Sequence, residues 1–167
     1  DNIDNVLRAT EALTAPWGYA WSPKRITVST VGVAKGLRRF LDESKCSLAV
    51  SLHHPDAAER GAMMPAERAF SVEALIELLS QYDFCRKTTD DYAEGTKQRR
   101  LTFEYIVFRG INDTLEHGRA LVRLLAPLDC RINMIRFHTI PDTRFDGTDE
   151  TAMLRLQDYL NAHGITT

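Results

Sequence analysis

The 167-residue chain is long enough for one well-buried domain. Its 44% hydrophobic and 26% charged residues are an ordinary globular balance that excludes a disordered tail. A formal net charge of −2 excludes a broad basic surface that grips nucleic acid unaided, while leaving room for one local basic face. No apolar run approaches the ~20 residues of a membrane span, and no signal segment opens the sequence. Cys46, Cys85 and Cys130 are odd in number and widely spaced, with no Cys-x-x-Cys pair. That usage reads as cytosolic, not as a disulfide framework or a metal knuckle.

Helical and strand patterns alternate along the chain. Ile3, Val6, Leu7, Thr10 and Leu13 share one helical face, and Ala15-Pro16 ends that helix. Residues 26–30 (ITVST) are β-branched and predict a strand. Val33, Leu37, Phe40 and Leu41 give a helical stripe, and residues 47–52 (SLAVSL) a second strand. A helix is predicted over 71–82, with Ser71 as N-cap and Val72, Leu75, Ile76 and Leu79 inward. Residues 101–108 (LTFEYIVF) form the longest strand. Asp113 and Glu116 read as a capping box opening a helix that carries Leu121, Leu124, Leu125 and Leu128. Residues 131–137 (RINMIRF) give a fourth strand, and Met153, Leu156 and Leu160 a last helix.

Strands separated by helices, without hairpin turns, predict right-handed crossovers and an α/β fold with a parallel sheet across 1–167. Residues 83–100 (DFCRKTTDDYAEGTKQRR) are polar, break the rhythm and read as a mobile surface loop. Both ends look cut. The first helix has no strand before it, and Ile165-Thr166-Thr167 looks like the opening of another strand. A piece of a larger enzyme is therefore expected, whose raw sheet edges leave an edge-strand dimer open.

Strand parity is the most informative signal for a site. Ile26 and Val28 oppose Thr27 and Ser29; Leu48, Val50 and Leu52 oppose Ser47, Ala49, Ser51 and His53. Phe103, Tyr105 and Val107 oppose Thr102, Glu104 and Ile106, and Ile132 and Met134 oppose Asn133 and Ile135. One face is apolar throughout; the other carries Thr27, Ser29, Ser51, His53, Glu104 and Asn133. A closed barrel fills its interior with branched apolar side chains, so a polar inner face predicts an open or wide barrel holding a polar ligand. The plainer alternative is that these groups satisfy one another, Glu104 with Asn133 for example.

Ligands in βα proteins sit at the strand C-terminal ends. Ser29-Thr30-Val31-Gly32, Ser51-Leu52-His53-His54-Pro55, the loop from Arg109 to Asp113, and Arg136-Phe137-His138 occupy them. No carboxylate or thiol has ligand spacing to His53, His54 and His138, so zinc is not expected. Lys24-Arg25 and Arg99-Arg100 precede strands and read as solvated surface. Arg109 and Arg136 stand at the productive rim, suited to a carboxylate or phosphate.

ITVSTVGV, LAVSLHHP, Met64-Pro65, RRLTFEYIVFRGIND, EHGRALVRLL and CRINMIRFHTIP occur in the order and spacing of one family. The chain resembles the radical-SAM ribosomal RNA adenine-C2 methyltransferases, the RlmN-type enzymes, with the Cfr-type resistance enzymes as close relatives. The residues from Asp1 to Val6 look like the stretch after that family's Gly-Glu-Pro motif. The resemblance covers essentially the whole chain. It implies a partial (β/α)6 barrel, S-adenosylmethionine (SAM), a [4Fe–4S] cluster, and methylation at C2 of an adenine in 23S ribosomal RNA or, in some members, tRNA. It maps SAM contacts to Ser29, Ser51, Leu52 and His53. The last expected contact is an Asn in the family and His138 here, a departure that leaves one hydrogen bond to imidazole.

The family's cluster takes three thiolates spaced Cys-x3-Cys-x2-Cys, which Cys46, Cys85 and Cys130 do not supply. The methyl-carrying cysteine is also outside the chain. No catalytic residue is therefore assigned, and the piece alone is expected to be inert. A non-catalytic βα module for a nucleotide-like ligand, and a radical-SAM enzyme with another substrate, are the competing expectations.

Overall fold

The centre of the fold is one sheet of four parallel strands lying side by side in sequence order: β1 (Thr27–Thr30), β2 (Ser47–Ser51), β3 (Leu101–Val107) and β4 (Arg131–Arg136). The computed structural model describes residues 2–87, 99–138 and 140–167. Helices α1 (Ile3–Thr14), α2 (Ala34–Glu43), α3 (Ala57–Met63), α4 (Val72–Ser80), α5 (Leu115–Leu125) and α6 (Glu150–Ala162) precede, connect or follow the strands.

One apolar core joins the layers. Leu37, Phe40 and Leu41 of α2, Leu75 and Leu79 of α4, Leu121 and Leu125 of α5, and Leu156 and Leu160 of α6 pack on Leu48, Val50, Phe103, Tyr105, Val107 and Ile132. Along β3, Leu101, Phe103, Tyr105 and Val107 are buried while Thr102, Glu104 and Ile106 are partly exposed. The period-2 pattern thus became one helix-covered face and one open face. A sequential order β1-β2-β3-β4 without reversal is that of a barrel wall, not of a doubly wound sheet. Thr166 makes a parallel bridge to Arg131 beside β4, with the Ile132 N–H donating to the Thr166 carbonyl at 2.9 Å.

Several expectations change. The α5 cap is Thr114, not Asp113. Its hydroxyl takes the His117 N–H, and the His117 side chain returns to the Thr114 backbone. Asp113 instead accepts from the Gly110 N–H at 3.0 Å and the Thr148 hydroxyl at 2.7 Å, so it ties the loop together. Helix α3 escapes the hydrophobic pattern because it is two turns long and its one buried residue is an arginine, Arg60. Ser71, by contrast, caps α4 as expected, accepting from the Ala74 N–H at 3.2 Å.

Arg99 is not solvated surface. Its guanidinium donates to the carbonyls of Cys46, Leu41 and Phe40 at 2.8, 3.1 and 3.3 Å and stacks 4.0 Å from the Phe84 ring. Two of those carbonyls belong to the last turn of α2, where helical donors run out, although Phe40 also accepts from the Ser44 N–H at 3.1 Å. Lys24, Arg25 and Arg100 are exposed. Of the expected loop over 83–100, residues 88–98 lie outside the described residues; Arg86 makes an antiparallel bridge to Leu128.

The two capping assignments differ in outcome. Thr114→Ala is expected to lower stability by about 1 kcal/mol in urea melts, and Glu116→Gln by less than half as much. The reverse ranking would restore the Asp113–Glu116 box.

Candidate functional site

Strand register turns the polar residues of the open face into ordered rows. Ser51 pairs with Glu104, and Glu104 with Asn133, so the three lie side by side across β2, β3 and β4. The Asn133 amide donates to the Glu104 carboxylate at 2.7 Å. Ser29 lies in the next row toward the strand starts, beside Ala49, Thr102 and Arg131. Glu104 and Asn133 therefore do satisfy each other. Ser29 and Asn133 are nevertheless exposed, and Ser51 and Glu104 partly so, which leaves the row facing open space.

Above this row the chain turns sharply at His53, whose φ is 58°. A non-glycine residue there costs about 1–2 kcal/mol, so the surroundings must over-determine it. They do. The His53 carbonyl accepts from the Asn112 amide at 2.7 Å, and the Leu52 and His53 N–H groups both donate to the Glu104 carbonyl at 3.0 and 3.3 Å. The His53 Nδ1 accepts from the Ile106 N–H at 3.1 Å. An accepting Nδ1 carries no proton, which leaves Nε2 as the ring's N–H donor. Burial, and secondarily the Arg60 charge, hold the His53 pKa below the ordinary 6.5.

Arg60 organises the same rim from below and is wholly buried. It forms a close ion pair with buried Glu67. Its Nε donates to the Leu52 carbonyl at 3.0 Å, and its Nη2 to the carbonyls of Ser51 at 3.0 Å and Val31 at 3.3 Å. The other Glu67 oxygen accepts from the Val72 N–H at 2.8 Å, at the start of α4. One cation thus ties together the ends of β1 and β2, α3 and α4. Neither residue stood out in the sequence, because charged residues near a predicted loop read as solvent-facing.

Asn112 was missed for the same reason and is also fully buried. Its amide donates to the His53 and Ile106 carbonyls at 2.7 and 2.8 Å, and its side-chain oxygen accepts from the Phe108 N–H at 2.7 Å.

The other predicted residues divide by position. Leu52 is buried in the core, so it offers a ligand no side chain. Arg136 and His138 are exposed at the end of β4. Arg109 is exposed, with its Nε donating to the Gly147 carbonyl at 3.2 Å. His54 is buried, its Nδ1 taking the Asp56 N–H at 3.1 Å, in a structural role. Among the described residues, no three of His, Cys, Asp and Glu converge as a metal site. Gly32 (φ 91°) closes the β1 turn, donating its N–H to the Thr30 hydroxyl at 3.1 Å. Along the outer edge of β1, a cleft of about 480 Å³ reaches Ser29 and Thr30 from Ile3 and Val6 of α1 and Phe40 of α2.

No protein-family model matches the chain. A Bacteroides thetaiotaomicron protein named probable dual-specificity RNA methyltransferase RlmN is 54% identical over all 167 residues. A Solidesulfovibrio magneticus protein named dual-specificity RNA methyltransferase RlmN is 38% identical over 165 residues, 99% of this chain. The chain spans under half the length of these curated relatives, 45% and 44%. The crystal structure of a radical SAM methyltransferase from Sphaerobacter thermophilus superposes with a TM-score of 0.84 at 31% identity, covering 99% of this chain and 46% of that one. The family resemblance is borne out. Over its whole length the chain is similar to part of the RlmN-named methyltransferases, and its four-stranded α/β wall superposes on that of the Sphaerobacter enzyme. A domain of pyruvate-formate lyase-activating enzyme from Bacteroides vulgatus, 11% identical with a TM-score of 0.60, shares the fold alone.

Two measurements test the rim. Arg60→Met leaves Glu67 buried without its cation and is expected to cost about 3–5 kcal/mol. Arg60→Lys should also destabilise, because one ammonium cannot span carbonyls and carboxylate in the guanidinium's planar fork. A loss under about 1 kcal/mol for Arg60→Met in a denaturant melt would remove this account. For His53, the folded pKa is the lowered one, so the stability it contributes is complete above 6.5 and is lost as pH falls through the folded value. A proton-detected NMR titration should place its midpoint below 6.5. A midpoint at or above that value contradicts an accepting Nδ1.

Proposed function

We propose that this chain is the SAM-holding portion of the barrel wall in a radical-SAM enzyme that methylates C2 of an adenine in 23S ribosomal RNA, and of tRNA in some members. The observation that carries this reading is the match, over all or nearly all of this chain and under half of theirs, to proteins named as dual-specificity RNA methyltransferases, with half-buried Ser51 and His53 at the β2 end, the positions to which the resemblance maps SAM contacts. The cytosol is the compartment this reading implies.

The residues present fit SAM. Ser29 and Ser51 offer hydroxyls, His53 an Nε2–H donor, the Ser51-Leu52-His53 turn its backbone, and His138 an exposed imidazole at the β4 end. Glu104, held by Asn133, places a carboxylate beside Ser51, suited to an ammonium or hydroxyl of the ligand. Arg109 and Arg136 set positive charge on the rim, suited to a carboxylate or RNA phosphate. Bound SAM supplies the methyl group; this chain's residues bind and orient it. A fixed turn at His53 means that little ordering remains to be done on binding.

The cysteines do not fit a cluster. Cys46 and Cys85 are buried in the core, and burial, with Asp129 adding, pushes the Cys130 thiol up to about 12. Iron ligation requires thiolates, which these sites disfavour. Within this chain the role is therefore binding, and no step is assigned to an iron–sulfur group.

In the full-length protein, Ser51→Ala and His53→Ala are each expected to weaken SAM binding about three- to tenfold, one hydrogen bond's worth. Calorimetry measures the affinity, and mass spectrometry of adenine methylation in RNA measures the consequence. Unchanged affinity in the Ser51→Ala/His53→Ala double variant would mean the ligand lies elsewhere.

A further inference from the structure

At the opposite end of the sheet, the loop between α1 and β1 holds Trp17, Tyr19 and Trp21 at 71%, 70% and 51% exposure. Three large aromatics in five residues, all facing water, forgo burial that such side chains ordinarily obtain. The loop is tightly built. Four successive N–H groups fold back onto the end of α1: Gly18 and Ala20 donate to Ala15 at 2.9 and 3.2 Å, Tyr19 to Ala12 at 3.0 Å, and Trp21 to Leu13 at 2.9 Å. Ala20 holds a φ of 52°, and a Cβ on Gly18 would stand 1.9 Å from the Ala12 carbonyl oxygen. A close backbone approach at Gly18 and a strained Ala20 fix where the alternating rings project. The Tyr19 and Trp21 centroids are 5.8 Å apart at 54°, so the two rings do not stack on each other.

The local charge names the partner. Residues 12–41 contain no Asp or Glu, and beside the aromatics they carry Lys24 and Arg25, in a chain whose net charge is −2; Arg39 of α2 is by contrast paired with Asp4 and Glu43. Lys24 and Arg25 stand three and four residues after Trp21, are exposed, and take no part in an ion pair among the described residues. Rigid aromatics interleaved with small residues and bordered by cations are the chemistry that holds unpaired nucleobases by stacking and their phosphates by charge.

We propose that Trp17, Tyr19 and Trp21, with Lys24 and Arg25, form a stacking platform for unpaired bases of RNA at the rim opposite the SAM face. The inference rests on the RNA-methyltransferase reading above. A folded RNA is far larger than a four-residue strand is long, so one substrate can touch both rims. The platform adds a sequence-tolerant grip remote from the reacting adenine.

The chain's two tryptophans are both in this loop, so its intrinsic tryptophan emission reports on the platform alone. Titration of the 167-residue chain with single-stranded oligo(A) at low salt should quench that emission saturably, and a blunt RNA duplex should quench it less. Trp17→Ala/Trp21→Ala, read by anisotropy of labelled oligo(A), should bind at least about tenfold more weakly with an unchanged circular-dichroism melt. Trp17→Leu/Trp21→Leu, which keeps apolar bulk, should lose as much. Lys24→Ser/Arg25→Ser should flatten the log affinity against log salt slope by about 1.4, two single-strand phosphates' worth. Three results overturn the platform: equal affinity in the aromatic variants, equal quenching by duplex, or emission that changes with chain concentration without RNA, which would mark a contact between copies. If the platform fails while Ser51→Ala still weakens SAM binding in the full-length protein, the methyltransferase reading stands without it.

Discussion

The buried guanidinium of Arg60 is the constraint on which the candidate site depends. Strands β1 and β2 end at the carbonyls of Val31, Ser51 and Leu52, of which Leu52 also accepts from the His54 N–H at 2.7 Å, and a buried carbonyl without a donor is costly. Arg60 supplies donors to all three, and Glu67 neutralises it. Glu67 in turn takes the Val72 N–H and fixes the start of α4. A hydrophobic residue here would pack as well but would remove these guanidinium donors from the strand ends, leaving Leu52 the His54 N–H. Helix α3 is therefore less a crossover element than a mount, delivering one cation beneath the turn that carries Ser51 and His53.

That turn works by alternation. Leu52 is buried in the core, while Ser51 and His53 on either side are only half-buried. The apolar anchor between two polar residues sets their height above the sheet, and Asn112 from the next strand's loop locks the backbone at the strained His53. In the proposed SAM site, Leu52 would thus act by placing its neighbours. Two buried polar groups, one from each side, hold one short turn.

Periodic features were legible from sequence, and features made by single polar groups were not. The strands, the helix stripes and the polar face all follow from repeats of two or about 3.6 residues, which a linear reading sees directly. Ser51, Glu104 and Asn133 were each assigned to the open face from parity alone; their union in one row needed the register. Arg60, Glu67, Arg99 and Asn112 escaped because a polar residue in a linear reading goes to solvent, whereas here each is drawn inward by carbonyls or amides that only the folded backbone exposes. Thr114 was passed over for Asp113 on a similar ground. Both are good capping residues, and which hydroxyl or carboxylate meets the helix depends on the loop before it.

The polarity of the sheet then separates two kinds of recognition. At the C-terminal rim, strand ends are over-determined by buried hydrogen bonds, so polar groups are held in fixed positions, as needed to orient a small ligand. At the N-terminal rim the fixed feature is a loop backbone, and what it presents is aromatic surface and unpaired positive charge, which tolerate a varied partner. A wall only four strands wide can serve both because its ends are chemically independent: no hydrogen bond described for the Arg60–His53–Asn112 rim involves residues 15–25. Changes to the aromatic loop would therefore leave undisturbed the backbone that holds Ser51 and His53, so the two proposed contacts are separable.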